Sequence, residues 1–367
     1  MSVAFVLFFG GDATSAIERR LDAVRLAVSE HVLDLAAKAG YAPLLAVTKD
    51  ATARERFGPV AEVVAPETSP FHLGRELRAI VRKKHLERLC VSGAGFGALL
   101  GIADLRGVRE KVAAAESVLV TNNYYSGDLV AFAPATALDA VDLPAADNPL
   151  PRLLHQQAGL PSTELPRGAA WLFDVDTPTD ATILVRDARC PPSVRRAGAW
   201  DAELGSRLDA ILGLFATPEV EVCIAGRVGA PVWSFLETQT ACRVRVLAEE
   251  RGMQAAGRDV SGAARSALGF LYEALGPEKF FARMAELGSG LILDSRVLFA
   301  HLGLHPSAEE RFASDVFDVV SVREERLAAF TRAARSAPIP VLLGGHSIVS
   351  GALFAMGEIA WQGAARR

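Results

Sequence analysis

The sequence predicts an α/β protein with two domains. The chain has 367 residues, which is more than one domain usually holds, and 50% of them are hydrophobic, so two ordinary cores can be buried. In the first half, short apolar runs alternate with helical patterns, as is typical of a mostly parallel sheet covered by helices on both faces. We therefore predict one domain over residues 1–190 and a second over residues 200–367.

The first half supplies the clearest alternation. We predict strands at residues 3–9, 43–48, 60–65, 88–92 and 118–121 from their apolar runs. Helical patterns lie between them at residues 15–39, 71–85 and 103–116. The first run has no basic residues before it and no small-residue cleavage site after it, so we interpret it as a buried strand rather than a signal peptide.

The second half shows the same alternation of apolar runs and helical patterns, with less regular spacing. Residues 189–196 are charged and broken by prolines, which is typical of a connector, and we place the domain boundary near residues 186–200. Beyond it, apolar runs at 220–225, 243–247, 291–293 and 339–343 predict four strands of a smaller, Rossmann-like sheet.

Composition excludes some function classes. The chain carries 43 acidic and 39 basic residues, a net charge of −4, without a long run of one sign. This pattern argues against nucleic acid or an anionic membrane as a partner. No apolar run approaches the ~20 residues that cross a bilayer. We therefore expect a cytoplasmic protein whose partners are small molecules.

An acidic turn ends the first predicted domain. Alternation in residues 173–176 puts the carboxylates of Asp174 and Asp176 on one side of an extended segment, and Pro178 can open the next helix. Carboxylates at a strand end suit Mg²⁺, so we predict Asp174 and Asp176 as metal ligands. The alternative is an ordinary helix cap, in which Asp176 or Thr177 satisfies free backbone amides.

This turn, Asp-Val-Asp-Thr-Pro-Thr-Asp over residues 174–180, resembles the Asp-Ile-Asp-Thr-Pro-Glu-Asp ending of one nucleotidyltransferase group. That group comprises the molybdenum-cofactor guanylyl- and cytidylyltransferases and the 2-phospho-lactate guanylyltransferases. The resemblance covers about the first 185 residues, including Gly10-Gly11 after the first strand and residues 39–48. It implies a nucleotidyltransferase-like (GT-A/Rossmann-like) sheet, an NTP bound by the first loop, and Mg²⁺ held by two separated aspartates, the second being Asp176 or, as the alternative, Asp174.

The first loop departs from the family pattern. Family members continue it with an arginine and a lysine that hold phosphates, whereas Gly10-Gly11 is followed here by Asp-Ala-Thr-Ser. Phosphate contact would therefore rest on backbone amides at Gly10 and Gly11, with Ser15 either assisting or simply capping the helix.

The loop after the fourth strand departs as well. Where the family has Gly-Asp-x-Pro and its first metal aspartate, this chain has Gly93 and Gly95, which would let a nucleotide lie against the backbone. Asp128 is our substitute ligand and catalytic residue. Residues 121–128 are rich in polar groups, and we predict that Asn122 and Asn123 bind the nucleotide. A simple turn is the alternative.

The second domain carries its own polar loops after each predicted strand. Because ligands bind at the carboxyl ends of strands in open α/β sheets, these loops predict a second pocket. We expect His346 to act there as a catalytic acid or base, unless residues 344–347 form only a tight turn capped by Ser347. The predicted pocket residues are Arg227, Glu250, Arg251, Arg296, Gly345, His346 and Ser347.

The leading functional prediction is nucleotidyl transfer. Asp176 and Asp128 would hold Mg²⁺ while an NMP group passes from an NTP to a small phosphorylated or hydroxylated metabolite. Two alternatives stay open. One is a glycosyltransferase that uses a nucleotide-sugar. The other is a degenerate domain that binds a nucleotide or metabolite without catalysis, because the usual aspartate and lysine are missing.

Overall fold

The computed structural model describes residues 1–11, 13–200 and 202–364. The chain forms two compact units: Met1–Ala13 with Arg25–Leu172, the first unit, and Thr14–Val24 with Phe173–Arg367, the second unit. One contains a seven-stranded, mostly parallel sheet and the other a four-stranded sheet, which confirms the predicted fold class. The division at residues 186–200 stays a prediction about folding domains.

The first sheet has the strand order β3-β2-β1-β4-β6-β5-β7, and β6 runs antiparallel to both of its neighbours. In chain order the elements up to residue 172 are β1 (Ala4–Phe8), α1 (Ala16–Ala39), β2 (Leu44–Val47), α2 (Ala51–Phe57), β3 (Glu62–Val64), α3 (Leu73–Lys84), β4 (Leu89–Gly93), α4 (Ile102–Ala114), β5 (Val118–Thr121), β6 (Leu129–Ala133), a 3₁₀ turn (Ala135–Ala140), α5 (Leu150–Gln156), β7 (Ser162–Glu164) and α6 (Ala169–Leu172).

The central strands of this sheet are apolar because both of their faces are covered. Every residue of β1 and β6 is buried. The strands predicted in the first half are all present, whereas β6 was not predicted from the sequence. Since β1 pairs with β2 on one side and β4 on the other, the chain reverses its direction of progress across the sheet between β1 and β4. Such a reversal opens a crevice beyond the carboxyl ends of the two strands.

The second sheet has the order β11-β10-β8-β9, and all of its pairings are parallel. Its unit contains α7 (Pro178–Leu184), α8 (Pro192–Ala197), α9 (Ala202–Phe215), β8 (Glu221–Gly226), α10 (Ala230–Gln239), β9 (Arg243–Ala248), α11 (Ala267–Leu275), α12 (Pro277–Leu287), β10 (Gly290–Asp294), α13 (Ser295–His301), α14 (Ala308–Asp315), a 3₁₀ turn (Val319–Ser321), α15 (Glu325–Arg335), β11 (Val341–Gly344), a 3₁₀ turn (Ser347–Val349) and α16 (Gly351–Ala364).

The four strands predicted in this half are all present, and they differ in burial. All residues of β10 and β11 are buried, whereas β9 lies at one edge of the sheet and is half exposed. On β9, Arg243 and Arg245 form exposed ion pairs with Glu219 and Glu221. None of the described helices is long and apolar enough to span a membrane.

Candidate functional site

The loop after β1 lies at the crevice of the first sheet. A side chain at Gly10 would meet nothing within 4 Å, so this backbone borders open space. A Cβ at Gly11 would lie 2.6 Å from the Cβ of Asp50, whose carboxylate accepts a hydrogen bond from the backbone amide of Ala53 and caps α2. Gly11 is therefore required by close packing, whereas Gly10 leaves room for a ligand.

Lys49 is a cation at this edge that the sequence analysis missed. It follows β2, the strand paired with β1, and its side chain is exposed and within electrostatic reach of Glu76. In the sequence, Lys49 directly follows a predicted strand, whereas the loop after the neighbouring first strand has no basic residue. Lys49 can supply the positive charge that the first loop does not carry.

The loop after β4 adopts conformations that need glycine. Gly95 and Gly97 have φ angles of +95° and +91°, in the region that side chains disfavour. Gly93 ends β4, and a Cβ there would lie 3.5 Å from Oδ2 of Asp147. The backbone amide of Gly93 donates to the carbonyl oxygen of Asp128 at 3.2 Å. Gly93 thus contacts the main chain of Asp128 and borders the carboxylate of Asp147.

Asp147 was not predicted as a site residue from the sequence. It stands 54 positions beyond Gly93 in the chain (147 − 93), so local pattern could not connect the two. The connection is made by neighbouring backbone: Asn148 accepts hydrogen bonds from the Gly127 amide and from the Ser126 hydroxyl. These contacts bring the segment before α5 to the loop that precedes β6.

Asn122 organises this loop through hydrogen bonds to protein groups, and its role in nucleotide binding stays a prediction. It is fully buried, and its Oδ1 accepts from the amides of Asp128 and Leu129 at 3.0 and 3.1 Å. Its Nδ2 donates to Oδ2 of Asp128 and to the carbonyl of Trp171, both at 2.9 Å. All four hydrogen-bonding positions of the amide are thus used.

Asn123 and Ser15 perform local roles. The Oδ1 of Asn123 accepts from the amide of Tyr125 at 3.1 Å. This hydrogen bond closes a local turn, which was the alternative to nucleotide binding. The Oγ of Ser15 accepts from the amide of Glu18 at 3.3 Å, and the Glu18 carboxylate accepts from the Ser15 amide at 2.9 Å. Ser15 therefore caps α1, and it belongs to the second unit.

The acidic turn also belongs to the second unit, and it is not a strand. Residues 173–176 are irregular, with Phe173 and Val175 buried. The Thr177 hydroxyl accepts a hydrogen bond from the Asp180 amide and so caps α7, as the capping alternative expected. Pro178 is the first helical residue. The hydroxyl of Thr179 donates to the carbonyl of Leu343 in β11 at 2.6 Å. The turn is thereby fastened to the second sheet.

The described residues contain no cluster of three or more His, Cys, Asp or Glu side chains that could hold a metal. Mg²⁺ needs only one or two protein carboxylates when substrate phosphates complete its shell. In the first unit, the candidate carboxylates are those of Asp147, beside Gly93, and of Asp128, which accepts a hydrogen bond from Asn122. In the second, Asp176 is exposed and Asp180 caps α7, and the assignment of Asp174 and Asp176 as Mg²⁺ ligands stays a prediction.

Asp180 is the most unusual carboxyl group of the acidic turn. It is fully buried, and its Oδ2 accepts from the Asp176 amide, from the amide and hydroxyl of Thr177, and from the Ser347 hydroxyl, at 3.2, 2.8, 2.7 and 2.5 Å. Its Oδ1 has no hydrogen-bond partner among the described residues. Burial, and then the nearby carboxylate of Asp176, raise the pKa of Asp180 to about 7 despite these donors.

We expect Asp180→Asn to change the pH dependence of stability. Because the folded-state pKa of about 7 exceeds the ordinary value of 3.8, the folded chain binds more protons between the two, and wild-type stability falls as pH rises through this window. Urea titrations in EDTA should show the free energy of unfolding of Asp180→Asn, relative to wild type, rising by about 2–3 kcal/mol from pH 5 to pH 8. The exposed Asp209→Asn serves as control, and parallel profiles for wild type and Asp180→Asn would contradict the expectation.

Arg227 and Asp294 form a buried ion pair at the centre of the second sheet. Arg227 follows β8 and Asp294 ends β10, and they pair through Nε–Oδ2 at 2.6 Å and Nη2–Oδ1 at 3.1 Å. The side chains are 7% and 0% exposed, so solvent barely screens the pair. The guanidinium opposes the effect of burial on Asp294 and holds its pKa below the usual value. Gly226, with φ of +126°, lets β8 pass directly beside Asp294.

Arg296 and Glu250 are occupied by other partners. Arg296 binds the buried carboxylate of Asp315 through two hydrogen bonds of 2.9 and 2.5 Å. Glu250 accepts two hydrogen bonds of 2.7 Å from Arg258 and one of 3.0 Å from the Arg265 amide, and these contacts lower its pKa to about 2. Both predicted pocket residues therefore hold their loops in place.

His346 lies among charges of both signs. Its side chain is half-buried, and burial followed by the charge of Arg227 lowers its pKa, with Arg251 acting in the same direction and Asp294 and Asp176 opposing it. The imidazole is thus neutral at pH 7. The loop does turn tightly, from β11 into the 3₁₀ turn Ser347–Val349, but the hydroxyl of Ser347 donates to Asp180 and does not cap a helix, so the predicted cap is wrong.

No protein-family model and no curated protein matches the chain. Among solved structures it is similar to a protein from Desulfovibrio desulfuricans G20 named as a nucleotide-diphospho-sugar transferase, with 18% identity, a TM-score of 0.41, and coverage of 57% of this chain and 97% of that one. It is also similar to a cytidylyltransferase from Leptospira borgpetersenii serovar Hardjo-bovis (10% identity, TM-score 0.36, coverage 53% and 90%). A third is CMP:2-keto-3-deoxy-manno-octonic acid synthetase complexed with CTP (10% identity, TM-score 0.33, coverage 45% and 90%). We therefore infer the function from this chain's own residues.

Proposed function

We propose that the first unit binds a nucleoside triphosphate at the carboxyl ends of β1, β2 and β4 and transfers its nucleotidyl group to a small phosphorylated or hydroxylated metabolite. The observation that carries this proposal is the position of Gly93 at the end of β4, where it contacts the main chain of Asp128 and borders the carboxylate of Asp147. This point lies at the end of β4, beside the crevice at which open α/β sheets bind ligands.

Each group at this edge has a task in the proposed reaction. The backbone at Gly10 borders open space and can approach the triphosphate, and Lys49 supplies positive charge. Asp128 and Asp147 would hold Mg²⁺, which when bound neutralises phosphate charge. The acceptor oxygen forms a bond to the α-phosphorus as the bond to the β-phosphate oxygen breaks and pyrophosphate leaves. The chain contributes mainly positioning.

Asp147→Asn tests this proposal. We expect wild type to bind at least one NTP more tightly with Mg²⁺ than without it, and Asp147→Asn to weaken the Mg²⁺-dependent binding by about 10- to 100-fold. Isothermal titration with the four NTPs and with nucleotide-sugars, each with Mg²⁺ or EDTA, measures this. Asp139→Asn is the matched control, because Asp139 pairs with Arg82 at an exposed position of the same unit.

Three outcomes would overturn the proposal. Equal NTP affinity in wild type and Asp147→Asn would show that Asp147 does not hold Mg²⁺. Binding of a nucleotide-sugar without any NTP would favour glycosyl transfer. Nucleotide binding that is independent of both Mg²⁺ and Asp147 would favour a domain that binds without catalysis.

A further inference from the structure

A buried asparagine lies beside the carboxylate of Asp128. Asn122 directly follows β5 and Asp128 directly precedes β6, so the two residues stand at the two ends of the loop that joins these antiparallel strands. The side chain of Asn122 is 0% exposed, which is uncommon for an asparagine. A buried amide costs free energy unless its polar atoms find partners, so the partners of Asn122 indicate what the residue does.

Asn122 holds both the backbone and the carboxylate of Asp128. Its Oδ1 accepts a hydrogen bond from the Asp128 amide at 3.0 Å, and its Nδ2 donates to Oδ2 of the Asp128 carboxylate at 2.9 Å. The same Nδ2 donates to the carbonyl oxygen of Trp171 at 2.9 Å, which fixes the amide group itself. The Gly93 amide donates to the carbonyl oxygen of Asp128. The orientation of this carboxylate is therefore set by a buried group that cannot easily turn away.

An exposed pair in the same unit makes the same two contacts. The Oε1 of Gln157 accepts from the Asp142 amide at 2.7 Å, and its Nε2 donates to Oδ2 of the Asp142 carboxylate at 3.0 Å. Both of these residues are exposed, whereas Asn122 is buried and Asp128 is half-buried. The Asp128 pair also stands at the end of β4, where Gly93 borders the carboxylate of Asp147. Burial and location thus distinguish this pair from an ordinary surface contact.

We propose that Asn122 is a positioning residue, which holds the carboxylate of Asp128 in the orientation that binds a divalent cation. This inference rests on the proposed function, because it takes Asp128 and Asp147 as the residues that hold Mg²⁺. A carboxylate that is already oriented loses less conformational freedom when the ion binds. Hydrogen-bond partners of metal ligands typically contribute about 10- to 100-fold to metal affinity. Asn122 would therefore act on the ion through Asp128.

Titration with Mn²⁺ in the absence of nucleotide tests this role. Mn²⁺ prefers the same oxygen ligands as Mg²⁺, and the free ion can be quantified by electron paramagnetic resonance. We expect Asn122→Ala to weaken the binding of Mn²⁺ by about 10- to 100-fold. Gln157→Ala is the matched control, because it removes the same two contacts from the exposed Asp142, and we expect it to leave Mn²⁺ affinity unchanged.

A double-mutant cycle with Asp128→Asn separates positioning from a general loss of structure. If Asn122 acts through the Asp128 carboxylate, Asn122→Ala has no further effect on Mn²⁺ affinity once residue 128 is asparagine. Additive losses in the double variant would overturn the proposal, because they would show that Asn122 supports another part of the site. Wild-type Mn²⁺ affinity in Asn122→Ala would overturn it as well.

Asp147→Asn distinguishes a failure of this inference from a failure of the proposed function. If wild type binds Mn²⁺ no more tightly than Asp147→Asn does, the metal site fails, and the role of Asn122 fails with it. A loss of affinity in Asp147→Asn without a loss in Asn122→Ala contradicts the role of Asn122 alone.

Circular dichroism establishes whether Asn122→Ala is folded. If it is not, Asn122→Asp provides the test, because it keeps the acceptor for the Asp128 amide and replaces only the donor. Two carboxylates this close share a proton that the cation must displace, so we expect Mn²⁺ affinity at pH 7 to fall about tenfold or more. Unchanged affinity in Asn122→Asp would overturn the proposal.

Discussion

Replacing Asp294 by asparagine is expected to destabilise the protein by about 3–5 kcal/mol. The carboxylate is fully buried and binds the guanidinium of Arg227 through two hydrogen bonds. Without the carboxylate, the buried positive charge of Arg227 loses the negative charge nearest to it. Arginine cannot lose its proton to relieve this cost, because its pKa lies far above neutral pH.

Urea denaturation followed by tryptophan fluorescence measures the loss. Glu221→Gln is the control, since Glu221 pairs with Arg245 on the same sheet but the two side chains are 40% and 43% exposed. Exposed pairs of this kind contribute about 0–1 kcal/mol. If Asp294→Asn costs no more than Glu221→Gln, the buried pair does not stabilise the second unit.

The second large effect is expected for Gly226→Ala, with a loss of about 4 kcal/mol or more. A Cβ at this position would lie 2.3 Å from the Cβ of Asp294, closer than any non-bonded carbon atoms approach. The φ angle of +126° adds about 1–3 kcal/mol of backbone strain to the overpacking. Relief would require β8 and β10 to separate where they are hydrogen-bonded.

Gly252→Ala provides the comparison that separates strain from overlap. Gly252 also has a positive φ, +76°, but a side chain there would meet nothing within 4 Å. We therefore expect it to cost only about 1 kcal/mol. Similar denaturation midpoints for Gly226→Ala and Gly252→Ala would refute the steric argument, whereas insoluble expression of Gly226→Ala alone agrees with it.

Much of the fold could be predicted from the sequence because buried parallel strands are continuous apolar runs. The run Leu129–Ala133 has the same character, but it follows the polar loop 122–128 directly and was absorbed into that connector. It pairs antiparallel with β5 through a loop that is longer than the two- to five-residue loops that signal a hairpin in a sequence. The polar loops at strand ends were predicted correctly for the same reason as the strands: each follows an apolar run.

The partners within those loops could not be predicted. Arg227 and Asp294 are 67 residues apart in the chain, and only the order of strands makes them neighbours. Asp180 was read as the last letter of a motif, although its burial depends on the loop after β11. Asp147 is a candidate ligand only because the fold places its carboxylate beside Gly93, at the end of β4. The sequence pattern thus identified the segments that border the crevices. Which side chains in those segments form hydrogen bonds and ion pairs with other parts of the chain depends on the tertiary structure.

Strand β9 has a consequence for how copies of the chain behave at high concentration. An edge strand presents unpaired backbone groups that can accept a strand from another molecule and start aggregation. Arg243 and Arg245 stand on this edge with their acidic partners, as hydrated ion pairs that a docking strand would have to desolvate. The edge is thereby protected against association, and the parallel sheet remains a four-stranded one.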